Sequence, residues 1–286
     1  MVKLVKYYRK GLQYASARKI NEYPYSFTTK PEVTCLNSTK LLILIKSAPR
    51  NREKRQAIRE TWGNEDLISG FKRVFVLGKS RTDDVNIEQE TQTYGDILQL
   101  DYYDSYYMNT WKTRGALIWA SSSKECDYVM LVDDDYYVAT DLLIQQLELT
   151  GTGNETLYMG WVNPRSYPFR WKGSKWYVSP TDYPYNIYPP FVSAGSIVMS
   201  MKFITDFVIA SQFTKHIKFD DVFLAIVANK LGVAPINNRL FYTGKVDYWD
   251  TQFWTTLTAH GYNPTELRNA WQCHRRLKTN GLNIHL

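Results

Sequence analysis

The chain alternates short apolar runs with stretches in which apolar residues recur every three or four positions. Leu41-Leu42-Ile43-Leu44-Ile45 is apolar throughout and too short for a helix. It predicts a strand buried on both faces, as parallel sheets require. Ser47-Ala48-Pro49 breaks it, and a helix is predicted over 52–61, stopped at Gly63. Val74 to Leu77 with Gly78 predicts a second strand and turn, 83–94 a polar helix ended by Gly95, 97–100 a third strand, and 111–124 a further helix. Tyr128-Val129-Met130-Leu131-Val132 is a fourth strand, and Thr140-Asp141 before Leu142-Leu143 has the composition of a helix start. Strands and helices alternating at this spacing predict an α/β protein with a parallel, doubly wound sheet. Residues 151–195 change character: Trp, Tyr, Pro and Gly are frequent and periodicity fades, as in a binding region of ordered loops and short strands. Helical periodicity returns over 201–213, 220–231 and 264–277. Residues 1–40 are basic, Tyr-rich and aperiodic, and read as a stem or linker with one short helix. Residues 41–286 read as a single domain.

Composition sharpens this picture. A hydrophobic content of 44% over 286 residues supports a sizeable core and excludes a disordered chain. The net charge of +7 favours anionic partners such as nucleotide sugars. The basic residues gather at the N-terminus and again at Arg50, Arg52, Lys54, Arg55 and Arg59, without a nucleic-acid-binding motif, so no nucleic-acid partner is expected. Aromatics at 15% suit sugar or base stacking as well as core filling. Cys35, Cys126 and Cys273 lack metal-binding spacing and allow at most one intramolecular disulfide, whose pair the sequence does not choose. Asn37-Ser38-Thr39 and Asn154-Glu155-Thr156 are glycosylation acceptors. No apolar stretch reaches the roughly 18 residues of a membrane span.

The candidate chemistry starts at Asp133-Asp134-Asp135, at the end of the fourth predicted strand. Ligands of open α/β sheets collect outside the carboxyl ends of the strands. Three adjacent carboxylates repel one another unless a cation lies among them, and a hard divalent ion with oxygen ligands fits. The plainer reading is an acidic strand-to-helix turn.

Six segments in order carry a resemblance. They are Lys46-Ser47-Ala48-Pro49-Arg50-Asn51 with Arg55-Gln56-Ala57-Ile58-Arg59-Glu60-Thr61-Trp62-Gly63; the stretch from Asp101 to Thr113; the acidic triplet; Ser174-Lys175-Trp176-Tyr177-Val178-Ser179; Tyr188-Pro189-Pro190-Phe191; and Asp220-Asp221-Val222-Phe223-Leu224. Together, from about Leu41 to Trp271, they resemble the β1,3-galactosyltransferase and β1,3-N-acetylglucosaminyltransferase family, glycosyltransferase family 31, which includes Fringe. The resemblance implies a GT-A fold, with a Rossmann-like, mostly parallel sheet flanked by helices. Residues 41–140 would be its nucleotide-sugar half and 141–286 its acceptor half. It also implies an inverting enzyme that moves galactose or N-acetylglucosamine from a UDP-sugar to a sugar hydroxyl on a glycoprotein or glycolipid, forming a β1,3 bond. Manganese or another divalent cation would be the cofactor. The location would be the Golgi lumen, with the membrane reached only through an N-terminal anchor that this sequence lacks.

Carried over residue by residue, Asp133 and Asp135 match the metal-binding Asp-x-Asp motif, with Asp134 between them, and His260 matches a histidine that completes the metal shell. Asp221 matches the general base, with Asp220 before it. Lys46, Ser47, Ala48, Arg55 and Arg59 form the expected UDP platform, since Arg55 and Arg59 share a helix face. Arg52 and Lys54 read as the solvated side of that helix. Asp104, Asn109 and Lys112 match a second nucleotide-sugar segment. Trp176 and Tyr177 read as sugar-stacking residues or as core. The chain departs from the family at Ala194 and Ser196, which flank Gly195 where glycines are usual, so a narrowed acceptor pocket is expected. Trp111 replaces a leucine. A C-terminal family cysteine is absent near Asp247-Tyr248-Trp249, which implies that Cys126 lacks its usual partner. These losses leave a second reading open: a catalytically silent UDP- or sugar-binding relative acting as a chaperone or partner subunit. A dinucleotide-binding protein is disfavoured, because no Gly-x-Gly-x-x-Gly follows the first strand.

Overall fold

A computed structural model describes residues 1–12, 17–33, 40–82, 84–123, 126–150 and 155–279. Cys35, Asn37 and Asn154 lie outside them. The elements begin with α1 (Val2–Arg9), β1 (Phe27–Thr29), β2 (Leu41–Lys46), α2 (Arg52–Glu60), β3 (Phe71–Lys79) and α3 (Asp84–Tyr94). There follow β4 (Ile97–Tyr103), α4 (Asn109–Ser123), β5 (Tyr128–Asp133), β6 (Tyr136–Val138), α5 (Thr140–Leu149) and β7 (Tyr158–Asn163). The last are β8 (Phe191–Ser200), α6 (Met201–Ser211), α7 (Asp220–Leu231), β9 (Ile236–Asn237), β10 (Thr258–His260) and α8 (Pro264–Thr279).

The apolar runs form the centre of an eight-stranded sheet of order β1-β4-β3-β2-β5-β8-β7-β9. β4, β3, β2 and β5 are parallel, as the βα alternation requires. β8 is antiparallel to both β5 and β7, and the short β6 and β10 form a separate antiparallel pair. All six residues of β2 are buried. Their side chains alternate between faces, so each face receives its own core. Leu41, Ile43 and Ile45 pack with Trp62, Phe75, Met130, Leu143 and Trp271. Leu42 and Leu44 pack with Leu98, Leu117, Phe203, Phe207 and Phe223. The mostly parallel sheet flanked by helices is the architecture expected from the sequence. Among the described residues no helix is long and apolar enough to cross a membrane.

Two expectations change. The described part of residues 1–40 packs against the domain and does not stand apart as a stem. β1 pairs antiparallel with β4, and Val5 is buried. Asn21 is buried too. Its side-chain and main-chain oxygens accept from Arg114 Nη1 and Nη2 at 2.9 and 2.7 Å, and its Nδ2 donates to the Thr214 carbonyl at 2.8 Å. Arg114 is fully buried, and burial holds its pKa down at about 10, so its charge needs these acceptors. Single polar contacts of this kind leave no periodic trace, so the segment looked like a linker. The second change concerns Cys126, which is disulfide-bonded despite the missing C-terminal cysteine, while Cys273 is a free thiol.

Replacing Asn21 by Ala removes an acceptor from a buried guanidinium. Urea unfolding of Asn21→Ala is expected to show a loss of ~1.5–3 kcal/mol. An unchanged midpoint would mean that the N-terminal segment does not hold the domain.

Candidate active site

The acidic triplet lies where the sequence put it, in the turn from β5 to β6, and its three carboxylates diverge. Asp134 points inward and is 7% exposed. Its oxygens accept from Ser47 Oγ (2.7 Å), Asn51 Nδ2 (2.8 Å) and Lys54 Nζ (3.0 Å). It therefore fastens the β2–α2 loop to the acid turn. Asp133 lies 3.1 Å from the Lys46 ammonium. Asp135 lies 3.6 Å from both Lys54 and His260. His260 reaches this position because β10 pairs with β6, which sets it opposite Tyr136. Trp62 supports the turn from below, its buried indole N–H donating to the Tyr136 carbonyl at 3.0 Å.

A cavity of about 800 Å³ opens above this turn, at the carboxyl ends of β2, β3, β4 and β5. Lys46, Ser47, Ala48, Asp104, Asn109, Lys112, Asp133, Asp134, Asp135 and His260 all line it, so the structure gathers most of the residues expected from the sequence. Lys112 and Asp104 are largely spent on each other. Lys112 Nζ donates to Asp104 at 2.7 Å and to the Ser47 carbonyl at 2.8 Å, joining two loops of the wall. Asn51, Lys54, Lys79 and Arg81 also line the cavity and were missed. Lys79 and Arg81 follow a parallel strand whose carboxyl end faces the site, and that position was the available signal. Lys54, read as solvated, bridges Asp134 and Asp135.

Arg55 and Arg59 are the main correction. Both are buried, and neither reaches a cavity. Arg55 Nη2 and Nε bond Glu90 at 2.6 and 2.8 Å; Arg59 bonds Glu90 at 2.7 Å and Asp96 at 2.8 Å. Arg55 also donates to the carbonyls of Ala48 and Pro49 at 2.8 and 3.1 Å. It shapes the cavity loop from behind.

A second cavity of about 860 Å³ adjoins the first and shares Lys46, Tyr106, Asn109 and Asp133 with it. Its walls include Tyr167, Phe169, Trp176, Tyr188, Phe191 and Ala194, and Asp220 and Asp221 lie in it. Both acids sit in the first turn of α7, where the helix dipole favours negative charge. Asp220 is buried and accepts from Lys46 Nζ and Thr113 Oγ1, each at 2.8 Å. Burial opposes its charge, but Lys46 prevails and holds its carboxyl below the usual range. Asp221 has only backbone donors, Val222 N–H at 2.8 Å and Ala194 N–H at 3.4 Å. Burial, and then the charge of Asp220, push its pKa up to about 6. Lys46 itself is held above the ordinary lysine value: burial works against it, and Asp133 and Asp220 outweigh that.

Gly195 has a φ of +110°, and a Cβ there would meet the Tyr136 hydroxyl at 2.3 Å. Its bareness lets β8 pass the aromatic ring beside the acid turn. Ser196 turns away from the cavity and hydrogen-bonds Thr258 at 2.8 Å, so only Ala194 of the two unusual residues faces the cavity. Trp176 lines the cavity, whereas Tyr177 is half-buried and does not.

A cationic cavity joined to an aromatic one, with a poised carboxyl between them, sits on a mostly parallel α/β sheet. These features define a glycosyltransferase. The chain belongs to the Galactosyltransferase family, which matches residues 53–239. It is 36% identical to the Drosophila melanogaster β-1,3-galactosyltransferase brn over 86% of this chain and 77% of that one. It is 33% identical to the human β-1,3-galactosyltransferase 1 over 89% and 80%. It is also 33% identical to a Xenopus laevis lactosylceramide 1,3-N-acetyl-β-D-glucosaminyltransferase over 83% and 67%. Among solved structures, the bifunctional glycosyltransferase WbbM aligns at a TM-score of 0.46 and 13% identity over 89% of this chain and 53% of that one.

The Arg55–Glu90–Arg59 network predicts a large structural effect far from the chemistry. Glu90→Ala strands two buried guanidinium groups and is expected to lower the unfolding free energy by ~3–5 kcal/mol in denaturant titration. A change of less than ~1 kcal/mol would show that water takes over the carboxylate's role.

Proposed function

We propose that this protein transfers a hexose, galactose ahead of N-acetylglucosamine, from a UDP-sugar to a sugar hydroxyl with inversion, forming a β1,3 bond. The observation that carries this reading is Asp221: a carboxyl with a raised pKa and no cationic partner, in an aromatic-walled cavity that opens into a cationic one. The donor's diphosphate fits the first cavity, beside Lys54, Lys79 and Arg81. The acceptor sugar fits the second, where Trp176 and its aromatic neighbours can stack on apolar sugar faces. The acceptor hydroxyl attacks the donor's anomeric carbon as the bond to UDP breaks, and Asp221 takes the hydroxyl proton. Asp220 stays ionised against Lys46, and its charge helps to raise the pKa of its neighbour. Asp104, Asn109 and Lys112 shape the wall between the two substrates.

A divalent cation, manganese by family resemblance, fits beside Asp135 and His260, a mixed oxygen and nitrogen pair on adjoining strands. Asp133 is engaged by Lys46, and among the described residues no group of three or more acidic, histidine or cysteine side chains is arranged to hold a metal. The remaining ligands would then come from the diphosphate and water. Such an ion supplies Lewis-acid neutralisation of the leaving diphosphate. The Golgi lumen is the location we propose, on the same family grounds.

Asp221→Asn is expected to lower transfer by ~10²–10⁴-fold, measured as UDP release. Because the folded pKa of Asp221 lies above its ordinary value, its contribution to stability is largest at low pH and is lost as pH rises through about 6. The Asn variant should therefore be more stable than the parent by ~1–3 kcal/mol at neutral pH while nearly inactive. A variant with near-parental turnover would refute the base assignment. For the parent enzyme, activity should fall ~tenfold per pH unit below about 6 and stay flat just above it. Chelation should stop turnover and manganese restore it, with His260→Ala needing ~tenfold more metal. Turnover that survives chelation would remove the metal from the proposal. UDP binding without turnover on any donor would favour the silent-relative reading.

A further inference from the structure

The rim of the aromatic cavity leaves large rings in water. Trp171 is 74% exposed, Tyr185 67% and Tyr107 51%, with Tyr106, Phe169 and Trp176 exposed beside them. The rings form a connected set, with Tyr106 and Tyr107 5.5 Å apart and Phe169 and Trp176 5.7 Å apart. Contiguous exposed apolar surface of this kind marks an interaction site. Cations are interleaved with the rings. The Lys175 ammonium lies 4.5 Å from the Trp176 ring centre, Lys218 lies 4.8 Å from that of Tyr107, and the Arg165 guanidinium lies 5.6 Å from that of Tyr167. Lys172 is exposed next to Trp171. The acids in this region do not balance these charges at the rim. Asp182 is hydrogen-bonded to Ser179 at 2.7 Å, and Asp220 and Asp221 belong to the cavity interior.

Trp and Tyr rings mixed with Lys and Arg form a surface suited to a bilayer interface. The amphipathic rings settle at headgroup depth, and the cations meet anionic phosphates. We propose that this rim rests on an anionic membrane surface and that the acceptor is a lipid-linked glycan, which enters the cavity from the bilayer side. The inference builds on the reading of the second cavity as the acceptor site. A sugar chain rising from the membrane beneath Trp171 and Tyr107 would have only the depth of the cavity to cross before its terminal hydroxyl met Asp221. Docking would also spare the enzyme a search through bulk solution.

The test uses the full chain and the double variant Trp171→Ser/Tyr107→Ser, whose side chains are exposed and do not line the cavity. Flotation with phosphatidylcholine vesicles, with and without phosphatidylserine, should show binding that needs the anionic lipid and weakens with salt. The double variant should bind ~tenfold or more weakly. Transfer is then compared between a β-linked acceptor sugar on a lipid embedded in these vesicles and the same sugar as a soluble methyl glycoside. The parent should prefer the embedded form by ~tenfold, and the variant should lose that preference while keeping methyl glycoside turnover within ~twofold. No vesicle binding by the parent would overturn the proposal. Equal losses on both acceptors would also overturn it, and would make the rim a subsite for further sugars. Vesicle binding that the variant loses, with no turnover by the parent on either acceptor, would support the docking surface and refute the transfer reading.

Discussion

A single buried ammonium holds the two halves of the site together. Lys46 ends the central strand and lies 3.1 Å from Asp133 and 2.8 Å from Asp220. One of these acids ends the neighbouring parallel strand, and the other opens a helix far along the chain. Without that cation, Asp133, Asp220 and Asp221 would crowd one poorly solvated space, and their repulsion would be relieved only by protonation or by opening the site. The strand also fixes the lysine's height. The register that pairs Lys46 with Asp133 across β2 and β5 sets the meeting point of the two cavities.

The contrast between Asp220 and Asp221 follows from this. Adjacent in sequence and on one helical turn, they differ in their partners. Asp220 has a lysine and a threonine hydroxyl; Asp221 has two main-chain amides. One carboxylate is thereby kept charged, and its charge, together with burial, raises the proton affinity of the other. Two carboxylates driven apart in pKa by their surroundings are a recurrent way to obtain an acid–base group that works near neutral pH.

The strands and helices of the parallel half were legible in the chain because buried strands declare themselves as short apolar runs and helices by their period. The acid turn was legible for the same reason: it follows such a run. What failed was the direction in which charged side chains point. Arg55 and Arg59, one turn apart, present the same pattern whether they face a ligand or buried acids. Their partners, Glu90 and Asp96, are supplied by a different helix and the turn after it. Lys54, the immediate neighbour of Arg55, looked solvated and is drawn to the acid turn. Only the fold brings these charges within reach. The raised pKa of Asp221 was hidden likewise, since it depends on walls contributed by residues 165–191.

The segment between Asn163 and Phe191 leaves the sheet at the end of β7 and returns at the start of β8, and the two strands are hydrogen-bonded there in antiparallel register. It is therefore a long loop hung from a closed hairpin. It supplies most of the aromatic wall, whereas the acid turn, Lys46 and the α7 carboxylates are all anchored elsewhere. Its sequence can drift, lengthen or be exchanged while the β7–β8 ladder stays intact and the reacting groups keep their places. A scaffold divided in this way gives natural selection separate access to what is modified and to how the bond is made.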